Sequence, residues 1–255
     1  MIDLFLSGCC GRMGQVITTI VKERTDCRIV GGLDLKTKAD IGYPVYTDVQ
    51  AVDINFDVII DFSNAKAVDS VLELACRLKK PLVLATTGLS EEQVKKVETV
   101  ATQIPVFTSA NMSLGINVLI HLAKEAVRSL YPRFNIEIIE AHHNQKLDAP
   151  SGTALMIADQ IKASLPAEDE VFYRYERESF RAKRADNEIG ISSIRGGTIV
   201  GEHDVLLAGP NETITLSHSA QSRDIFAEGA LAAALFIAGL KPGHYHMDDL
   251  IQGKL

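Results

Sequence analysis

The sequence predicts an α/β chain: a doubly wound parallel sheet in the N-terminal half, then an α+β domain with a mixed, open sheet. Three observations carry this prediction. Short apolar segments alternate with amphipathic ones through the first half. A glycine-rich turn, Gly8 to Gly14, joins the first such pair. After Asn111 the alternation gives way to one helix, one strand, another helix and then a run of strands.

The elements follow in order. Apolar, β-branched runs predict strands at 3–7, 27–33, 57–61, 81–85 and 105–108. Helical periodicity predicts helices at 14–24, 66–78 and 90–103 between them. Such a βαβ series closes by right-handed crossovers. Beyond it, a helix is expected at 116–130, a strand at 134–139 and a helix after Pro150. A charged, poorly periodic stretch covers 167–187. Strands are expected at 189–195, 198–203, 204–208 and 213–220, and a closing Ala-rich helix at 223–240. Domain boundaries then fall at 1–112 with 222–255, and at 113–221, with hinges near 111–117 and 220–226.

Bulk properties narrow the function. The chain has 255 residues, 46% of them hydrophobic and 23% charged, as in an ordinary globular protein. Its net charge is −7 and it carries no basic run, so nucleic acid is not the expected partner. No apolar run reaches the roughly 18 residues that span a bilayer. The N-terminus lacks a basic segment followed by an apolar one, so no signal peptide is expected. The cysteines are Cys9, Cys10, Cys27 and Cys76, whose spacing matches neither a zinc motif nor a disulfide framework. A reducing, cytoplasmic location and no metal are expected.

Gly8–Cys9–Cys10–Gly11–Arg12–Met13–Gly14 follows the first strand and opens the first helix. The glycines let the backbone turn tightly and let a pyrophosphate approach the helix start, the Rossmann-type arrangement for dinucleotides. Asp34 ends the second strand, where a carboxylate accepts hydrogen bonds from ribose hydroxyls. It repels a 2′-phosphate and favours NADH, whereas Lys36 and Lys38 could neutralise one and admit NADPH. Arg12 suits a phosphate or simple solvation. The loops Ala85–Thr86–Thr87 and Ser109–Ala110–Asn111–Met112 end later strands at the same carboxyl edge. They offer hydroxyls and carbonyls to a nicotinamide, or serve only as helix caps.

The most informative segment runs Glu140–Ala141–His142–His143–Asn144–Gln145–Lys146–Leu147–Asp148–Ala149–Pro150–Ser151–Gly152–Thr153–Ala154. It joins a strand to a helix, so the His pair and Lys146 are expected on the connecting loop. A proton donor, a cation and free N–H groups at a helix start suit a small anion. Asp148 is expected to cap the helix. Arg195 and Arg223 are expected to meet a carboxylate or an interface. His203, His218, His244 and His246 read as structural or surface residues.

With these motifs the chain resembles the 4-hydroxy-tetrahydrodipicolinate reductase (dihydrodipicolinate reductase) family over nearly its whole length. The resemblance rests on the glycine loop, Asp61–Phe62–Ser63, 85–88, 109–113, 140–154, 194–203 and 222–230. It implies reduction of a cyclic dicarboxylate by NADH or NADPH in lysine and diaminopimelate biosynthesis. It also implies a second domain that binds this substrate and supports a homotetramer. By resemblance His142 is the general acid and Lys146 a proton donor and carboxylate partner. His143, Ser151, Gly152 and Thr153 bind substrate. Cys9 and Cys10 replace the smaller residues usual in the loop, and Asp34 replaces a more frequent Glu. A semialdehyde dehydrogenase is disfavoured because every cysteine lies before residue 77. A dinucleotide sensor without turnover is disfavoured by the intact His142–Lys146 pair.

Overall fold

The computed structural model describes residues 1–37, 41–179 and 181–253. Lys38 lies outside them. In chain order the elements are β1 (Ile2–Ser7), α1 (Arg12–Val21), β2 (Cys27–Leu33), β3 (Val45–Tyr46), β4 (Val58–Asp61), α2 (Val68–Leu78), β5 (Leu82–Leu84), α3 (Glu91–Ala101) and β6 (Pro105–Thr108). They continue as α4 (Leu114–Leu130), β7 (Asn135–His142), α5 (Gly152–Lys162), β8 (Phe172–Arg174), β9 (Glu188–Arg195), β10 (Gly201–Ala208), β11 (Thr213–Ala220), α6 (Asp224–Ile237), β12 (Gly243–Tyr245) and α7 (Met247–Ile251). The chain divides into two compact units, Met1–Leu114 with Asp224–Leu255, and Gly115–Arg223.

The first unit is a parallel sheet in the order β12-β6-β5-β4-β1-β2-β3. Both faces are covered, so its central strands carry apolar residues in both directions. Leu4 and Leu6 of β1 pack with α1 and the Ala-rich α6. Phe5, pointing the other way, packs with α2 and α3 and stacks on Phe56 at 4.8 Å between ring centroids. The α3 start is fixed by a capping box between Ser90 and Gln93.

The second unit is a mixed sheet in the order β11-β10-β7-β9-β8. β10 runs antiparallel to β7 and β11, and β9 runs parallel to β7. One face is covered by α4 and α5, through Ile116, Ile120 and Val127 against Ile136, Ile138, Ile189 and Val205.

The expected α/β class with a parallel and a mixed sheet is what the chain adopts. Details differ. The strands expected at 198–203 and 204–208 are one strand, because the in-out alternation runs unbroken through His203 and Asp204. β3, β8 and β12 are additional, too short to show a period. α1 starts at Arg12 rather than Gly14, and β7 runs on to His142.

Candidate functional site

In the first unit the glycine loop is shaped by close contacts. Gly8 has φ +78°, and a Cβ there would lie 2.6 Å from the Phe62 carbonyl oxygen. A Cβ on Gly14 would fall 2.6 Å from Cys9 Cα, so α1 can approach the loop only with glycine there. The Cys10 N–H donates to Asp34 Oδ2 at 2.8 Å, and the Leu35 N–H to Asp34 Oδ1 at 2.8 Å. Asp34 thus braces the loop, and each oxygen keeps a lone pair for a ribose hydroxyl.

A cleft of about 1090 Å³ opens over this loop, bordered by Gly8, Cys10, Gly11, Asp34, Lys36 and Lys66 among others. Lys66 was not singled out from sequence. The Cys9 side chain is fully buried beneath the loop, and burial, then Cys10, pushes its thiol up to about 12. Arg12 is exposed and Met13 half-buried in the first turn of α1. The loops after β5 and β6 leave the same carboxyl edge of the parallel sheet. Thr86 Oγ1 donates to the buried Asp61 at 2.6 Å, so that hydroxyl proton is not available to a nicotinamide. Thr87 is exposed. Ser109 Oγ donates to the Asn111 carbonyl at 2.7 Å, and Asn111 Oδ1 accepts the Ser113 N–H at 2.8 Å, tying the segment around Ala110 and Met112 into a tight turn.

In the second unit, strand pairing assembles a polar cluster on β7. Glu140 and His142 lie on one face, two residues apart. Register places His203 of β10 beside Glu140 and Arg195 of β9 beside His142. His142 Nδ1 donates to Glu140 Oε2 at 2.6 Å. Arg195 grips the same carboxylate from its two Nη atoms at 2.9 and 2.7 Å, and the Ser151 N–H donates to Oε1 at 3.1 Å. Burial pushes the Glu140 carboxyl up, but hydrogen bonds from Arg195, Ser193, His142 and Ser151 outweigh it and hold it at about 2. His142 Nε2 faces Gly201, where a Cβ would lie only 3.1 Å away.

The His203 ring meets the His142 ring edge-on at 5.2 Å and its Nε2 lies 3.2 Å from Ser151 Oγ. Burial, then the neighbouring His142, lowers His203 to about 4, so it is neutral at neutral pH. Ser151 caps α5 by accepting the Ala154 N–H at 3.1 Å, with Gly152 and Thr153 forming the first turn. Lys146 Nζ pairs with Asp148 Oδ1 at 3.0 Å. His143 is half-buried, and its Nδ1 is enclosed without a protein partner.

Several expectations need correction here. His142 is the last residue of a strand and buried, not on the loop. Ser151 occupies the α5 N-cap position, while Asp148 accepts the Gly152 N–H of the first turn and pairs with Lys146. Of the alternatives expected for His203 and Arg195, the structure shows a buried His203 within the cluster and Arg195 on a carboxylate, that of Glu140. Arg223 is exposed. Sequence alone assigns Glu140 no role. Its i, i+2 spacing to His142 on a strand was the available signal.

The second unit therefore presents an oriented imidazole, a lysine and a helix start, suited to protonating and binding an anionic molecule. The first offers a glycine-loop cleft suited to a dinucleotide.

Two family models match the chain. One, described as dihydrodipicolinate reductase, N-terminus, covers residues 2–112. The other, dihydrodipicolinate reductase, C-terminus, covers residues 115–251. The 4-hydroxy-tetrahydrodipicolinate reductase of Caldanaerobacter subterraneus subsp. tengcongensis is 54% identical over 252 residues, 99% of each chain. That of Clostridium botulinum is 47% identical over 252 residues, 98% of each. The solved dipicolinate-bound dihydrodipicolinate reductase from Paenisporosarcina sp. TG-14 superposes with a TM-score of 0.82 at 26% identity, over 96% of this chain and 97% of that one.

Proposed function

This chain belongs to the dihydrodipicolinate reductase family, and on that premise we propose that it reduces 4-hydroxy-tetrahydrodipicolinate, by way of dihydrodipicolinate, to tetrahydrodipicolinate in lysine and diaminopimelate biosynthesis. The observation that carries the residue assignment is the Glu140–His142 hydrogen bond beside the α5 start.

NADH or NADPH fits the first unit: Gly8 leaves no room for a side chain, Gly14 lets α1 close on the loop, and the cleft is bordered by Gly8, Gly11 and Asp34. When bound, the dinucleotide supplies the hydride. Gly8, Cys9, Cys10, Gly11, Arg12 and Met13 would receive its pyrophosphate, and Asp34 its ribose. The 85–87 and 109–112 loops would receive its nicotinamide end. Lys36 and Lys66 border the same cleft as Asp34 and offer charge to a 2′-phosphate, which supports use of both cofactors.

The reduced substrate ring must gain a proton. His142 donates it from Nε2, because Nδ1 is committed to Glu140. Lys146 pairs with a substrate carboxylate, releasing Asp148, and is the second proton donor. His143 and the N–H groups and hydroxyls of Ser151, Gly152 and Thr153 hold the carboxylates.

The units 1–112 with 222–255 and 113–221 act as the dinucleotide-binding and the substrate-binding domain. The second also supports a homotetramer, through the sheet face opposite α4 and α5, where Ile194 is 51% exposed. No helix among the described residues is long and apolar enough to cross a membrane. We place the enzyme in the cytoplasm.

The test is cofactor oxidation followed by absorbance, with substrate generated by the preceding synthase. Synthase-dependent oxidation of NADH or NADPH is expected, and His142→Gln is expected to lose nearly all of it. Full activity in His142→Gln would sink the assignment of the acid. Sedimentation velocity of the same preparation tests the tetramer.

A further inference from the structure

The dinucleotide loop needs small residues, and nothing in nucleotide binding calls for two thiols. Cys9 and Cys10 nonetheless put their sulfurs 3.9 Å apart. Both sulfurs and an Asp34 carboxylate oxygen lie within 4.8 Å of one another. Among the described residues no other group of three His, Cys, Asp or Glu side chains converges this way. The sulfur separation has a chemical meaning. Two thiolates bound to one zinc ion at ~2.3 Å with a tetrahedral angle sit about 3.8 Å apart.

Neighbouring residues fit the same arrangement. Gly32 of β2 has no side chain, and a Cβ there would lie 2.7 Å from Cys9 Sγ, so the glycine makes the seat for that sulfur. Cys10 and Asp34 both border the open cleft, which gives an ion a route in. Asp34 is oriented by the Cys10 and Leu35 N–H groups, and each oxygen keeps a lone pair. Zinc motifs read from sequence space their cysteines by two or more residues, whereas here the third ligand arrives from the end of a different strand.

We propose that Cys9, Cys10 and Asp34 bind one thiophilic divalent cation, Zn²⁺ or Cd²⁺, and that this cation and the dinucleotide exclude each other from the cleft. The second clause rests on the dinucleotide reading of the cleft. On binding, two S–H bonds break, two sulfur–metal bonds form and two protons pass to solvent. No oxidation state changes. The carboxylate is the third ligand and water completes the tetrahedron. Held to the metal, one Asp34 oxygen is lost to a ribose, and the ion with its water crowds the other.

The test titrates Cd²⁺ into the full-length, metal-free, reduced protein and follows the ultraviolet thiolate-to-cadmium band. One cadmium per chain is expected. Cys10→Ser and Cys9→Ala, checked for folding by circular dichroism, are expected to lose the band, and Cys76→Ser to keep it. A band that persists in folded Cys10→Ser, or no band in the parent protein, overturns the site. NADH binding to metal-free protein, read by its fluorescence, is measured separately. Cadmium at roughly ten times its dissociation constant is expected to raise the apparent NADH dissociation constant about tenfold. Cadmium binding that NADH leaves unchanged overturns mutual exclusion. A protein that binds cadmium but never NADH refutes the dinucleotide reading while the metal site stands, and NADH binding without cadmium does the reverse.

Discussion

The imidazole of His142 and the carboxylate of Glu140, side by side on β7, share a hydrogen bond of 2.6 Å inside the second unit. Glu140 is fully buried, and Arg195 holds its two oxygens at 2.9 and 2.7 Å. A carboxylate fixed so firmly commits Nδ1 of His142 to its hydrogen bond and leaves Nε2 for the proton transfer proposed above.

Replacing Glu140 by Gln keeps the shape and removes the charge. The turnover number is expected to fall about a hundredfold, in the range seen when partners behind a working imidazole are lost. The KM for the dinucleotide should change by less than about twofold. Steady-state kinetics decide: a variant that merely melts earlier, with turnover intact, would reduce Glu140 to a structural residue.

Acid should weaken the fold in two stages. His203 is lowered from 6.5 to about 4. The unfolded chain therefore binds its proton first, and stability drops as pH falls from about 6.5 to about 4. Glu140 is held at about 2 rather than 4.5. Its contribution is whole above about 4.5 and is lost as pH falls toward 2. Each stage is worth on the order of 3 kcal/mol. Urea unfolding between pH 8 and 3 should show both slopes, and His203→Gln should flatten only the first.

Gly201→Ala puts a methyl group 3.1 Å from His142 Nε2, the nitrogen proposed to deliver the proton. The imidazole must shift by a few tenths of an ångström. Turnover is expected to fall roughly tenfold or more, with a melting temperature close to the parent's. Unchanged turnover would show that Nε2 does not act on the substrate.

Asp34→Ala removes the proposed ribose partner and the brace of the Cys10 N–H. NADH should lose about tenfold in kcat/KM, and NADPH less, because Lys36 and Lys66 remain at the cleft. The ratio of the two rates is the measurement. An unchanged ratio would remove Asp34 from cofactor choice.

Much of this was readable in the chain because the signals are local. Gly8 to Gly14 lies between an apolar strand and a periodic helix, and β1, β2, β4, β5 and β6 are each long enough to show their composition. The two- and three-residue strands β3, β8 and β12 have no period to detect and exist because a neighbouring edge accepts them. The cluster around His142 was half legible. His142, His143, Lys146 and Ser151 are close in sequence. Arg195 and His203 reach the cluster only through the registers of β9 and β10 on β7. Register is set by which faces bury, so no single segment announces it. Asp148 does reach the helix start, at the Gly152 N–H, but Ser151 holds the cap position and Lys146 shares the Asp148 carboxylate.

The first unit is built from two stretches of chain with the second unit between them. Leu4, Leu6, Val58 and Val83 bury against Ala227, Ala230, Leu231 and Ala234 of α6, and β12 completes the sheet beside β6. On the ribosome the early strands therefore emerge long before their cover. At roughly 5–20 residues per second, translation from Leu114 to Ile237 takes about 6–25 s. Through that interval the nascent sheet has α1 on that face but lacks α6, while the second unit, a single continuous stretch, has every partner it needs once Arg223 is made. The order of synthesis thus makes the inserted unit the first to finish folding, and the N-terminal strands the last.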